Sequence, residues 1–456
     1  MKRLYIIGVF VISVLSSCSE FVELDSPKTQ IVNNKVFSND AGAQAAVSGI
    51  LSQMMTGSSF SGSNFGITLV AGLSADELNN HSTSLQQVAV YNNNLTPVNN
   101  SVVSSNWNDM YSYVYESNAI LEGAAASTGL SKATRDIVVG EAKFIRAFSY
   151  FYLINLYGDV PLITSTDYRV NRSASRRPMS EVYQQIESDL LEAQKLLPED
   201  YSNSGGEKIE PNKWAATALL ARTYLYQKKW SDAEGKASLI IDSQQFSLPA
   251  DLNSVFLANS EEAIWQLSPV LPGYNTTEAM MMIIVSNPTR VSASTSVTDV
   301  FEANDNRASS WIGTYTTGVK SYNYAYKYKV RLQNEPVTEY YMILRLAEQY
   351  LIRAEARAMQ INLTGAIDDA NVIRVRAGLD PIDATGLTQQ QVVDAIDKER
   401  RSELFIEWGH RWFDLKRTGK ADAVLGPVKP DWQSKDALFP IPQSEIDANP
   451  NLVQNP

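Results

Sequence analysis

The stretch Glu399-Arg400-Arg401-Ser402-Glu403-Leu404-Phe405-Ile406-Glu407-Trp408-Gly409-His410-Arg411-Trp412-Phe413-Asp414-Leu415-Lys416-Arg417 decides how this chain is read. Acids, bases and large aromatics crowd together too densely for a solvated helix face, so the segment reads as an interior joint. Thr388 with Gln391 three residues on has capping-box spacing, which starts a helix there. The pattern carries that helix through Trp408, where Gly409 can supply a left-handed C-terminal residue. Helical spacing then pairs Asp397 with Arg401, Arg400 with Glu403, and Glu407 with His410 or Arg411, while Val392, Ile396, Phe405 and Trp408 supply apolar anchors. A buried ion loses several kcal/mol of hydration unless a partner and hydrogen bonds replace it, so these charges should be paired and should fix one helix packing rather than add net stability.

The segment resembles the C-terminal signature of the SusD/RagB family of nutrient-binding lipoproteins, roughly E-R-R-x-E-L-x-x-E-G-x-R-W-x-D-L-x-R. Trp408-Gly409-His410 departs from the family's usual Gly followed by a variable residue or His. Further family-like stretches follow in order: Trp107 with Tyr111 and Asn118, Gly140 to Phe148, Tyr157-Gly158-Asp159-Val160-Pro161-Leu162, Arg345-Leu346-Ala347-Glu348, Arg374 to Leu379, and Leu438-Phe439-Pro440-Ile441-Pro442. Glu141, Arg146, Arg345 and Glu348 sit among apolar neighbours and read as paired scaffold charges.

At the N-terminus, Lys2 and Arg3 precede an apolar run from Leu4 to Leu15, and Leu15-Ser16-Ser17-Cys18 follows. That is a lipoprotein signal pattern over residues 1–17, with Cys18 the expected lipidation site. The run is too short for a membrane span, which needs about 20 residues. Cys18 is the only cysteine, so there is no disulfide framework. Removing residues 1–17 takes two bases and no acid, moving the net charge from −11 to −13. The bases are scattered among more numerous acids, which argues against nucleic acid as a partner. Arg169, Arg172, Arg176 and Arg177 read as a solvated loop, and acylation at Cys18 would supply the membrane contact.

Residues 18–456 read as one mostly helical unit: an N-terminal helical half (18–243), a loop-rich ligand-side insertion (244–335) and a C-terminal segment (336–456). Helices are expected at 39–55, 104–123, 132–157, 179–197, 212–228, 231–242, 339–360, 364–377 and 390–408. Residues 57–103 and 245–335 are rich in Ser, Thr, Asn, Gly and Tyr and read as long excursions with small strands such as Ala263 to Leu267. Ala147-x-x-Tyr150, Ala221-x-x-Tyr224 and Ala347-x-x-Tyr350 have tetratricopeptide spacing, with Leu220 and Ala233 at matching offsets; Ala237 and Gln245 depart from it. The family resemblance likewise implies tetratricopeptide-like helix pairs with a ligand side made of loops.

Catalytic signatures are poor. Glu407 and His410 would form one Glu-x-x-His pair, yet such metal sites need a second copy, and the only other histidine is His81. There is no Gly-x-Ser-x-Gly elbow, Walker loop or dinucleotide fingerprint. A two-carboxylate glycosidase stays open as an alternative, with Asp76-Glu77 the first pair to suspect, although a structural role for them is favoured. No cofactor and no enzymatic activity are expected. Carbohydrate is held by flat aromatic faces with amide and carboxylate side chains on the hydroxyls. The loops offer His81, Tyr91 and Asn94 in one set, with Phe60 and Phe65 favoured for packing. The other set is Tyr274, Trp311, Tyr315, Tyr322 and Tyr324. The resemblance implies a lipid-anchored, outward-facing outer-membrane protein that binds oligosaccharide and delivers it to a SusC-like TonB-dependent transporter. Peptide uptake is the alternative within the family, and a scaffold binding only proteins is the alternative outside it.

Overall fold

Small side chains set how closely the helices of this chain approach one another. The computed structural model describes residues 36–61, 65–98 and 100–455; residues 1–17 and Cys18 lie outside them. The helices used below are α1 (Asp40–Thr56), α2 (Ile67–Ser74), α3 (Ser101–Ala126), α4 (Lys132–Tyr157), α5 (Met179–Leu196), α6 (Lys213–Tyr226), α7 (Trp230–Asp242), α8 (Thr277–Met282), α9 (Leu346–Met359), α10 (Leu363–Arg376), α11 (Gln389–Leu404) and α12 (His410–Arg417). From α3 to α7 each helix packs on the next, α9 lies against α7, and α10 and α11 continue the stack. Ala147, Ala221, Ala233 and Ala347 are fully buried in it, and Tyr150 and Tyr224 are buried beside them. The tetratricopeptide-like spacing therefore marks real helix contacts, and the mostly helical expectation stands.

Strands are short and antiparallel, in two-stranded pairs: β1 (Leu78–Asn80) with β5 (Val291–Ala293), β2 (Val160–Pro161) with β3 (Arg176–Arg177), β4 (Ala263–Leu267) with β8 (Tyr341–Arg345), and β6 (Ile312–Thr317) with β7 (Lys320–Ala325). The helix expected from 339 starts only at Leu346. Residues Tyr341 to Arg345 are instead a fully buried strand pairing with β4, because Tyr341, Met342, Ile343 and Leu344 are apolar throughout and lie against another continuous apolar run.

The deciding stretch also differs from its helical reading. The Thr388–Gln391 capping box forms, but α11 ends at Leu404 and the chain turns sharply before α12. Ile406 (φ 50°), Trp408 (φ 47°) and Gly409 (φ 75°) all adopt left-handed backbone. For a β-branched residue such as Ile406 this costs on the order of 1–3 kcal/mol and must be imposed by its surroundings. The Ile406 amide donates to Glu77 Oε1 at 2.9 Å, the Trp408 amide to Thr68 Oγ1 at 3.1 Å, and the Trp408 indole to the Met342 carbonyl at 2.6 Å. The turn sends two aromatics apart: Phe405 packs on Phe301 and Trp311, whereas Trp408 packs on Tyr341 and Phe148. Gly409 must be glycine, since a Cβ there would lie 2.8 Å from that of Ala71.

With the helix broken, none of the expected i+3 or i+4 pairs forms, and those charges find more distant partners. Arg345 Nε and Nη2 donate to Glu407 at 2.9 and 2.8 Å, and its Nη1 to Glu262 and Glu403 at 2.7 and 2.5 Å. Glu403 also binds Arg376 and, at 3.2 Å, Arg307. Arg400 pairs with Asp414, Arg411 with Asp76, and Asp397 with Lys420; Arg401 donates to Ser296. Burial alone would raise the Glu403 carboxyl, but the guanidinium groups of Arg376, Arg345 and Arg307 hold it well below the carboxylate range. Arg146 pairs with Asp189 and Glu348 with Arg222, as scaffold charges should. Glu141 does not: one carboxylate oxygen has no partner, and burial, with help from Glu210, pushes its carboxyl well up.

Glu403→Gln leaves three buried guanidinium groups short of charge and should destabilise the fold by about 3–5 kcal/mol in urea unfolding. Lys132→Ala, which removes an exposed i,i+4 pair with Asp136, should cost roughly 0.5 kcal/mol or less.

Candidate ligand-binding site

One side of the helical frame carries β1, β5 and the β6–β7 hairpin. Gly318-Val319 closes the hairpin as a two-residue loop, with Gly318 at φ 58° and Val319 fully exposed. Alternation along the strands places Tyr315, Tyr322 and Tyr324 on one face: Tyr315 is opposite Tyr322, and Tyr324 is opposite Gly313. A Cβ on Gly313 would fall 2.3 Å from the Tyr324 ring, so glycine lets that ring lie over the opposing backbone. All three tyrosines are half-buried. The other face bears Thr314 and Asn323, hydrogen-bonded at 2.8 Å, and Thr316 and Ser321 at 2.9 Å.

His81 joins this group from the end of β1. Its backbone amide donates to the Arg290 carbonyl at 2.8 Å, its Nε2 is hydrogen-bonded to Ser292 Oγ at 2.8 Å, and its ring meets Tyr322 edge-on at 5.5 Å between centroids. Burial lowers the His81 pKa, so the ring is neutral at physiological pH. Beside it opens a cavity of about 270 Å³ lined by residues from Met280 to Val291 together with Arg331. Thus β1, β5 and the hairpin bring two segments more than 200 residues apart into one polar and aromatic surface.

The other expected site residues divide. Trp311 is 0 % exposed; its indole N–H donates to the Leu252 carbonyl at 3.0 Å, and Phe256, Phe405 and Lys327 surround its ring. It is a core residue and offers no face to a ligand. The polar sequence around it misled, because its burial comes from residues outside its own segment, among them Phe256, Lys327 and Phe405. Tyr91 is half-buried with the Lys429 ammonium 4.0 Å over its ring, and Asn94 is exposed in the loop after it. Tyr274 is half-buried on a separate turn tied to residues 334–339, where Asn334 donates to the Gly273 carbonyl at 2.7 Å. Phe60 is fully buried among aromatic rings and Phe65 packs against the core, as expected for packing residues. Arg290, Ser292 and Arg331 were missed; nothing in their sequence neighbourhood tells a cleft arginine from a solvated one.

The suspected acids hold structure. Asp76 pairs with Arg411 at 2.8 and 2.9 Å and accepts from Ser296, while Glu77 accepts the strained Ile406 amide. Glu407 and His410 do not share a helix, and Glu407 is held by Arg345 and Lys327. Burial raises Glu77 to about 7, and likewise raises Glu278 on α8 to about 7 against the hydrogen bonds of Thr68 and Tyr341.

The SusD family sequence model matches residues 168–456, and a second model, described as starch-binding and associating with the outer membrane, matches residues 21–225. SusD-like protein P2 of Formosa agariphila is 26% identical, covering 100% of this chain and 99% of its own. The starch-binding protein SusD of Bacteroides thetaiotaomicron is 25% identical over 69% of this chain and 72% of its own. Among solved structures, a SusD superfamily protein of Bacteroides thetaiotaomicron superposes with a TM-score of 0.80 at 23% identity, covering 92% of this chain and all of that one. A laminarin-binding SusD-like protein superposes with a TM-score of 0.78 at 24% identity, covering 92% and 99%.

Glu278 supplies a test of the α8 anchor. Its folded-state pKa is raised, so its protonated, stabilising form persists below the unfolded value near 4.5 and is lost as pH rises through about 7. Glu278→Gln should therefore match the parent chain in thermal stability near pH 4.5 and exceed it at pH 8, by on the order of 2–3 kcal/mol. A difference independent of pH would contradict the assignment.

Proposed function

The chain belongs to the SusD family, and on that membership we propose that it is a surface glycan-binding lipoprotein that passes captured oligosaccharide to a SusC-like TonB-dependent transporter. The observation that carries the binding reading is the half-buried tyrosine face of β6–β7, with His81 and Ser292 against it. Aromatic planes beside fixed hydroxyl and amide groups suit a sugar, whose C–H faces stack and whose hydroxyls need partners. Tyr315, Tyr322, Tyr324 and His81 are the proposed core of the contact, with Tyr91, Asn94 and Tyr274 as outlying contributors. Hydrolysis is not part of the proposal, since Asp76, Glu77 and Glu407 are all committed to structural partners.

Cys18 would carry the lipid. A bacterial lipoprotein's several acyl chains, each buried methylene contributing about 0.8 kcal/mol, anchor firmly without help from an acidic protein surface. Replacement of Cys18 by Ser should release the protein from the outer-membrane fraction.

Calorimetric titration with an oligosaccharide panel should show saturable binding without release of new reducing ends. Tyr322→Ala should weaken that binding roughly fivefold or more, the factor expected for one lost aromatic contact, with little change in stability. Trp311→Ala should lower stability by about 3–5 kcal/mol and act on affinity only through the fold. Absence of binding to any saccharide, or release of product sugars, would overturn the proposal.

A further inference from the structure

The cavity beside His81 has a charge pattern unlike the rest of the molecule. Fifty acids outnumber 39 bases in this chain, yet none of the residues lining the cavity is acidic and two, Arg290 and Arg331, are arginines. Many guanidinium groups elsewhere are clasped by carboxylates, and Arg307, Arg345, Arg374 and Arg376 each bind two or more. Arg290 is exposed and reaches only the Met281 sulfur, a weak acceptor. Arg331 is half-buried, and its Nε is enclosed without any hydrogen-bond partner. Along the chain from it, Glu335 is exposed, and the Glu339 carboxylate accepts the amides of Lys329 and Val330 at 2.6 and 3.0 Å. Neither arginine forms an ion pair among the described residues.

An enclosed guanidinium N–H without an acceptor costs free energy that a ligand oxygen can recover. Its planar fork matches a carboxylate or sulfate in two parallel hydrogen bonds. The cavity wall adds Ser286, Asn287 and Thr289 as further donors, and at about 270 Å³ it is near the lower end of ligand-pocket sizes. Its wall is tied to the strands beside the tyrosine face, because the Arg290 carbonyl accepts the His81 amide and Val291 begins β5.

Resting on the glycan-binding reading above, we propose that this cavity takes the anionic substituent of an acidic glycan, a uronate carboxylate or a sulfate ester, with Arg290 and Arg331 as the selecting residues. The tyrosine face would hold sugar rings whatever their charge, and the two arginines would set the preference for charged ones.

The test is calorimetry on the chain from Ser19 onward with three probes: an oligogalacturonate, a sulfated galactan oligosaccharide and a neutral β-glucan oligosaccharide. Acidic probes should bind more tightly than the neutral one, with an affinity that falls as NaCl is raised. Arg290→Gln/Arg331→Gln should weaken the acidic probe by roughly tenfold or more, as for loss of a charge-assisted hydrogen bond, and leave the neutral probe unchanged without lowering the melting temperature. Arg172→Gln, an exposed arginine outside this cavity, should change nothing. Response to the uronate alone or to the sulfate alone identifies which anion is taken. Neutral and acidic probes binding equally, or an unchanged acidic affinity in the double variant, would each overturn the charge assignment. Failure of every saccharide to bind would instead sink the glycan reading on which it rests.

Discussion

A single guanidinium, that of Arg345, holds together parts of the chain that are otherwise far apart. It stands at the junction of β8 and α9 and binds Glu262 just before β4, Glu403 in the last turn of α11 and Glu407 in the turn that follows. Each partner is fully or nearly fully buried, so none can be released to water without a large desolvation cost. Around it Arg307, Arg376 and Lys327 keep opposite charges adjacent, and the aromatic rings of Trp311 and Phe405 exclude solvent from the group. Such a network does not have to add net stability in order to matter. It makes one arrangement of α9, α10, α11 and β4 far better than any neighbouring one, because a slip of a single turn would strand a buried ion.

The proposed ligand side inherits its shape from this joint. The strained turn at Ile406 and Trp408 exists because Glu77 and Thr68 accept its amides, and Glu77 directly precedes β1. β1 in turn pairs with β5, which leads back to the cavity and lies against the hairpin bearing the tyrosines. Rigid support therefore runs from a buried charge cluster to an irregular surface that carries no long secondary structure of its own. That division suits a binding protein: loops supply chemistry, while the frame fixes where those loops sit.

Helix positions were legible because their signals are local. Capping at Thr388, apolar periodicity and Ala-x-x-Tyr spacing each act within a few residues, and the strand Ala263 to Leu267 announced itself as a short apolar run. The breaks were not legible. Nothing within residues 404–409 shows that Glu77, over 300 residues earlier, will accept the Ile406 amide, and the partners that helical spacing offered Asp397, Arg400 and Glu407 were plausible but wrong. Trp311 failed for the same reason: its sequence neighbours are polar, but in space it is fully buried against Phe256, Phe405 and the Lys327 ammonium. The family resemblance pointed to a region of loops but could not rank their aromatics, since exposure is decided by tertiary packing. The two arginines of the cavity stood out only against the ion pairs made by Arg307, Arg345, Arg374 and Arg376.

Native-state hydrogen exchange at the Ile406 and Trp408 amides tests most directly whether the buried network locks the C-terminal joint to the rest of the molecule. Both donate to side chains from the N-terminal half, so they can exchange only when that contact opens. If the network is the organising constraint, these two amides exchange as slowly as those in the middle of α4, through global unfolding. Exchange at the pace of an exposed loop, with α4 still protected, would show that the joint opens independently and would contradict the account.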